Sequence, residues 1–167
     1  MAKLYVRIDD RLIHGQIVAS WCTTLGIGQI IAIDDNLASN EMLQSIMTMG
    51  VPEQYDPRIV TFDDAKKLLR EGNNKNRLVI VRRVEELAKI IEEIKECEVV
   101  NIGNCSRFEE AIYKVARGTG WYIYLSDADK KVLEDLASNN IEIISQQLPQ
   151  EKSLNWDMIQ KSFRKGG

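Results

Sequence analysis

The chain has 167 residues, a formal net charge of −3, and 44% hydrophobic and 28% charged residues. That length can bury a real core, and no composition break divides it, so 1–167 reads as a single domain. A mildly acidic chain has no electrostatic reason to take nucleic acid as its main partner.

The N-terminus turns acidic at Asp9 and Asp10 before a long apolar stretch develops. It therefore does not read as a secretory signal, and no run is apolar enough to span a bilayer. Any membrane association is expected to run through a partner. Cys22, Cys97 and Cys105 are odd in number and widely spaced. They suit neither a disulfide framework nor a zinc site, and read as inert thiols in a reducing compartment, the cytoplasm.

In chain order, Leu4–Ile8 is the first strand expected. Ile30–Ile33 follows, without polar alternation, as a strand buried on both faces. Arg58–Phe62, Leu78–Val81, Val99–Ile102, Trp121–Leu125 and Ile141–Ile144 complete the set of seven. Between them lie helical stretches. One runs from Gln16 to Thr24. A second runs from Asn40 to Met49, with Met42, Leu43, Ile46 and Met49 as its apolar stripe. A third spans Asp63 to Leu69 with Asp63 as N-cap. Val84–Ile94 carries Leu87, Ile90, Ile91 and Ile94 on one side, and Asp127–Leu136 opens with acidic residues that suit a helix start. The tail after Pro149 is expected to form a short terminal helix on the body or an oligomer contact. Such alternation indicates an α/β fold with a mostly parallel sheet.

In open parallel sheets, ligands bind outside the carboxyl ends of the strands. Asp9-Asp10-Arg11-Leu12-Ile13-His14-Gly15-Gln16 occupies that position between the first strand and the first helix. It is suited to phosphoryl chemistry. A neutral imidazole nitrogen is a good nucleophile near neutral pH. Arg11 offers a planar fork for phosphoryl oxygens. Gly15 and Gln16 open a helix whose free amides can accept an anion. Asp9 or Asp10 can hold the other imidazole nitrogen or orient Arg11. Such transfer rests on positioning and charge stabilisation, so neither a metal nor an organic cofactor is required. The plainer reading is that a lone histidine is more often structural than catalytic, and that the two aspartates are turn and cap residues.

The run Val6-Arg7-Ile8-Asp9-Asp10-Arg11-Leu12-Ile13-His14-Gly15-Gln16-Ile17-Val18, followed by Trp21, closely resembles the IIB component of the mannose/fructose/sorbose family of the bacterial phosphoenolpyruvate-dependent sugar phosphotransferase system (PTS). Ile33-Asp34-Asp35, Ala38, Pro52, Asn101-Ile102-Gly103 and Leu148-Pro149 extend the resemblance along nearly the whole chain. The resemblance implies an open, doubly wound, mostly parallel seven-stranded sheet flanked by helices, with one antiparallel strand near its end. It implies that His14 accepts a phosphoryl group from a phosphohistidine on a IIA domain and passes it to a sugar held by the membrane components IIC and IID. Arg11 then stabilises the phosphoryl group, Asp10 orients, and Asp9, Gly15 and Gln16 lie close to it. A homodimer is compatible with the family, and the cytoplasmic chain meets the membrane through IIC and IID. The chain differs from the family pattern at Ala38-Ser39-Asn40 and at Asn104-Cys105.

Three rivals are set against this. Cys22 would be the phosphate carrier in cysteine-dependent IIB families. An anion-binding module would use the same loop without transfer. A hydrolase using His14 as base would need a separate nucleophile or metal that no motif supplies. Trp21, two helical turns after His14, is expected in the core. Arg82 and Arg83 end a strand, either as anion-facing groups or as solvated loop charge, and Lys161, Arg164 and Lys165 form a basic tail.

Overall fold

The computed structural model describes residues 2–164, so Lys165 of the basic tail lies outside the described residues. Nine strands form among the described residues: β1 Leu4–Asp9, β2 Ile27–Ile33, β3 Pro57–Val60, β4 Asn76–Val81, β5 Val100–Asn104, β6 Tyr113–Ala116, β7 Tyr122–Leu125, β8 Ile143–Ser145 and β9 Leu154–Asn155. Seven of them make one sheet in the order β3-β2-β4-β1-β5-β8-β9. All neighbours are parallel except β8 and β9, which run antiparallel. The sheet matches the expected type, but its membership differs. The Trp121–Leu125 segment supplies β7 of a separate antiparallel ribbon with β6, and the seventh place is taken by two residues of the tail, β9. Each is explained by its neighbours: β7 has β6 as partner twelve residues earlier, whereas β8 needs a strand at its open edge.

Helices cover both faces. Ile17–Trp21 is π-helical and continues into α1, Cys22–Leu25; α2 spans Asp35–Ala38 and α3 Glu41–Thr48. Leu12, Ile13, Ile17, Trp21, Cys22 and Leu37 pack there against Ile30, Ala32, Leu78 and Ile80. The other face carries α4 Phe62–Arg70, a 3-10 segment Val84–Ile94, α5 Asp127–Ser138 and α6 Trp156–Arg164, and it buries Val6, Ile8, Ile31, Ile33, Val79 and Val81. The central strands are apolar toward both layers, which is why they show no polar alternation. Each fully buried Ile or Val side chain there contributes roughly 1.5–3 kcal/mol. None of the helices among the described residues is long and apolar enough to cross a membrane.

Three helix expectations need correction. The α4 N-cap is Thr61, whose Oγ1 accepts from Asp64 N at 3.1 Å, and Asp63 sits inside the first turn. Val84–Ile94 is 3-10 rather than α, with a kink at Ile90. The stripe Met42, Leu43, Ile46, Met49 points outward and stays exposed. The reason is polar: Gln44 Nε2 donates to Leu37 O at 2.8 Å and to Ala38 O at 3.0 Å. These bonds to the last carbonyls of α2 hold the side of α3 that carries Gln44, Met47 and Thr48 inward.

The order also locates a site. From β1 the chain crosses to β2 on one side of the sheet, whereas from β5 it leads to β8 on the other. The crevice between the carboxyl ends of β1 and β5 is thus a topological switch point.

Candidate active site

Asp9 ends β1 in that crevice and is fully buried, with Arg7 two residues earlier on the same strand face. The carboxylate Oδ2 accepts from Arg7 Nε at 3.3 Å, from Asn104 Nδ2 at 2.8 Å and from the His14 ring nitrogen Nε2 at 2.7 Å. Oδ1 accepts from Arg11 N at 3.0 Å. Burial by itself raises the Asp9 carboxyl. The hydrogen bond from His14, the Arg7 guanidinium and the Asn104 amide together outweigh it and hold Asp9 below the usual carboxylate range. Asp9 is therefore ionised at neutral pH and can only accept. The proton in the Asp9–His14 bond then belongs to Nε2, and Nδ1 of the neutral ring carries the lone pair.

The turn is tight. Leu12 N donates to Asp9 O at 3.0 Å, and buried Leu12 adopts φ 56°, left-handed backbone that leucine rarely enters. Such a residue costs about 1–3 kcal/mol and persists only where its surroundings enforce it. It folds the loop back so that His14, whose side chain is 13% exposed, faces Asp9. Ile17 N and Val18 N both bond His14 O, at 3.0 and 3.3 Å, and Cys22 N reaches back to Ile17 O, which widens the helix into a π-turn directly after the histidine. The first amides of this helix have no intrahelical acceptor.

Arg11 stands at the rim, 50% exposed, with Nε 3.9 Å from Asp9 Oδ1 and one terminal nitrogen donating to Gln16 Oε1 at 3.1 Å. Gln16 thus tethers the guanidinium beside the histidine. Gly15 has no positive φ, and a Cβ there would meet no atom within 4 Å; the space above the helix start is open. Asp10 is placed differently from the orienting role expected of it. Its Oδ2 accepts from Ser106 N at 2.7 Å, so it ties the loop after β5, while Asp9 alone holds the ring.

Arg7, Trp21 and Gly103 lie in the runs that carry the family resemblance but have no role assigned to them there, and Asn104 and Gln147 lie outside those matches. Arg7, buried beneath the site, donates to Gln146 O and Gln147 O, each at 3.1 Å, and lies 5.2 Å from the Trp21 ring centroid. Burial lowers its pKa, and Asp9 opposes that shift. A Cβ on Gly103 would collide with the Arg7 guanidinium, so glycine is required there. Gly103 is also the extra residue in the β1–β5 register, where Ile8 faces Ile102 and Asp9 faces Asn104. Trp21 Nε1 donates to Gln147 O at 2.8 Å, and Gln147 Nε2 to Asn104 Oδ1 at 3.3 Å. Trp21 is thus core and support at once. The period-two spacing of Arg7 and Asp9 on a strand is the signal in the sequence that puts these two on one face.

Arg82 is spent within the chain, donating to Asp34 Oδ2 at 2.7 Å and to Asp10 O at 2.6 Å, and Arg83 stacks on Phe108. Cys22 is fully buried and its thiol is pushed up to about 12 by desolvation, the reverse of what a phosphate-carrying thiolate needs.

The chain matches, over residues 3–166, the family described as PTS system sorbose subfamily IIB component. It is 32% identical over 108 residues, 64% of this chain and 66% of the relative, to a Streptococcus pyogenes protein named a probable phosphotransferase enzyme IIB component. It is 23% identical over 161 residues to the mannose-specific EIIAB component of Escherichia coli, covering 93% of this chain and 47% of that protein. The IIBSor domain of the sorbose permease from Klebsiella pneumoniae shares the fold, with a TM-score of 0.82, 18% identity and coverage of 97% and 98%. The chain belongs to the sorbose-type IIB family of the sugar phosphotransferase system.

Proposed function

We propose that His14 is the phosphoryl carrier of this IIB chain and that Nδ1 is the nitrogen that carries it. The observation behind this reading is the 2.7 Å contact between Nε2 and an ionised, buried Asp9, which leaves the Nδ1 lone pair for attack. The Nδ1 pair attacks phosphorus on a phosphohistidine of IIA. A new P–N bond forms as the donor's P–N bond breaks, and its electron pair returns to the donor imidazole. In the second step a sugar hydroxyl on the IIC and IID components attacks the same phosphorus, the electron pair of the breaking bond returns to Nδ1, and the hydroxyl proton is released to solvent. Asp9 balances the positive charge on the ring while Nδ1 is phosphorylated. Arg11 and the amides at Gly15 and Gln16 neutralise the phosphoryl oxygens.

The rim supports protein partners: Arg11 is half exposed there, and the space over Gly15 is open. A IIA domain and the membrane components can each reach it, working from the cytoplasmic side, with the chain acting as one IIB unit. The existence of a mannose-specific relative named EIIAB supports IIA as the donor.

The test is phosphosite mapping after incubation with phosphorylated IIA. We expect an acid-labile, alkali-stable label on His14 and none on His14→Ala, whose fold persists. Label on Cys22, or transfer to sugar by the His14 variant, would overturn the reading; a purely anion-binding module would take up no label.

A further inference from the structure

The side chain of Asn104 lies between two groups that belong to different parts of the chain. Its Nδ2 donates to Asp9 Oδ2 at 2.8 Å, the same oxygen that holds His14 Nε2. Its Oδ1 accepts from Gln147 Nε2 at 3.3 Å, and Gln147 O in turn accepts from both Trp21 Nε1 and Arg7. An ionised carboxylate can only accept, so the NH2 group of Asn104 faces Asp9, and its Oδ1 is left to accept from Gln147.

We infer that Asn104 is a positioning residue for phosphoryl transfer, fixing the Asp9 carboxylate so that His14 is held as the Nε2–H tautomer with Nδ1 free to react. The inference rests on the reading of His14 as the acceptor and adds the residue that keeps it ready.

Several groups compete for Asp9. Four donors surround it: Arg7 on β1, the Arg11 amide and the His14 ring on the loop, and Asn104 on β5. Arg11 Nε lies further out, and the Arg117 guanidinium adds its charge from the residue after β6. The cations pull the carboxylate toward themselves, and a rotation about the Cβ–Cγ bond would take Oδ2 off the ring. A neutral amide resists that rotation without adding positive charge beside an imidazole that must stay nucleophilic. Without it the ring is free to place its proton on Nδ1, and in that tautomer the attacking lone pair is absent. The geometry also ties His14 to the loop after β8, because the Asn104 orientation depends on Gln147.

The chain has a single histidine, so its ring 15N resonances report the tautomer without interference. In the intact protein we expect the Nε2–H form. Asn104→Ala should give a mixed tautomer signature and phosphoryl uptake slowed about tenfold in kcat, with KM for phosphorylated IIA unchanged. Asn104→Asp, which cannot donate and repels Asp9, should lose more, and Gln147→Ala less. Asn104→Ala with the tautomer and kcat of the intact protein would overturn the inference. So would a loss of kcat that follows loss of fold alone, read from urea unfolding of the same variants. The tautomer measurement needs no phosphoryl donor, so its failure is separable from failure of His14 as acceptor, which His14→Ala tests.

Discussion

The floor and the rim of the site are built on opposite terms. On the floor, Arg7 and Asp9 are almost wholly removed from water, and every neighbour is fixed by backbone or amide hydrogen bonds. At the rim, Arg11 is half exposed and Gly15 faces open space. Buried charges must be fully paired or they cost several kcal/mol, so the floor is rigid by necessity. The rim is left open to solvent. The difference is a division of labour: the floor fixes the ring of His14 through Asp9, and the rim holds the open space where the proposed phosphoryl group would arrive.

The largest test of that division is Asp9→Asn, which leaves the Arg7 guanidinium buried without a counter-ion. We expect a stability loss of about 3–5 kcal/mol by urea unfolding, together with collapse of phosphoryl uptake. The pH dependence follows from the direction of the Asp9 shift. Its folded value lies below the usual one, so its contribution is complete above the unfolded value of about 3.9 and is lost as pH falls through the lower folded value. Asp9→Asn should flatten that acid slope.

Gly103→Ala comes next. Its methyl group enters the space of the Arg7 guanidinium, and overpacking of this kind costs about 1–3 kcal/mol, with slower transfer because Asp9 shifts with Arg7. Arg11→Ala should behave differently, slowing transfer on the order of 100-fold while changing stability by less than about 0.5 kcal/mol. If Arg11→Ala unfolded the protein as strongly as Asp9→Asn, the distinction between floor and rim would be lost. The smallest effect is expected of Gly15→Ala. Its backbone is unstrained and its surroundings open, so stability should hold or rise by a few tenths of a kcal/mol, while uptake falls severalfold as the methyl group meets the incoming phosphoryl.

A charged loop at the end of a first strand, with one histidine and a glycine beside a helix start, was legible in the sequence at the place where the structure has it. The parallel α/β class was equally legible, since β2 and β4 are apolar runs bounded by helical stretches. Local pattern failed where a distant partner decided. The apolar stripe of α3 has the spacing of a core helix, yet Gln44 bonds to α2 and turns it out. Trp121–Leu125 has the composition of a sheet strand, yet it pairs with β6 instead.

The sequence by itself determined which residue types meet at the exit of β1, because they are contiguous in the chain and the strand-to-helix junction fixes their neighbourhood. Tertiary structure alone decided between the two adjacent aspartates. Side chains alternate along a strand, so Asp9 falls on the face of Arg7 and enters the crevice, whereas Asp10, one residue on, turns away to Ser106. It also brought in Asn104 and Gln147, separated from His14 by 90 residues and more, because β5 is laid beside β1, and β8 beside β5, only when the sheet forms.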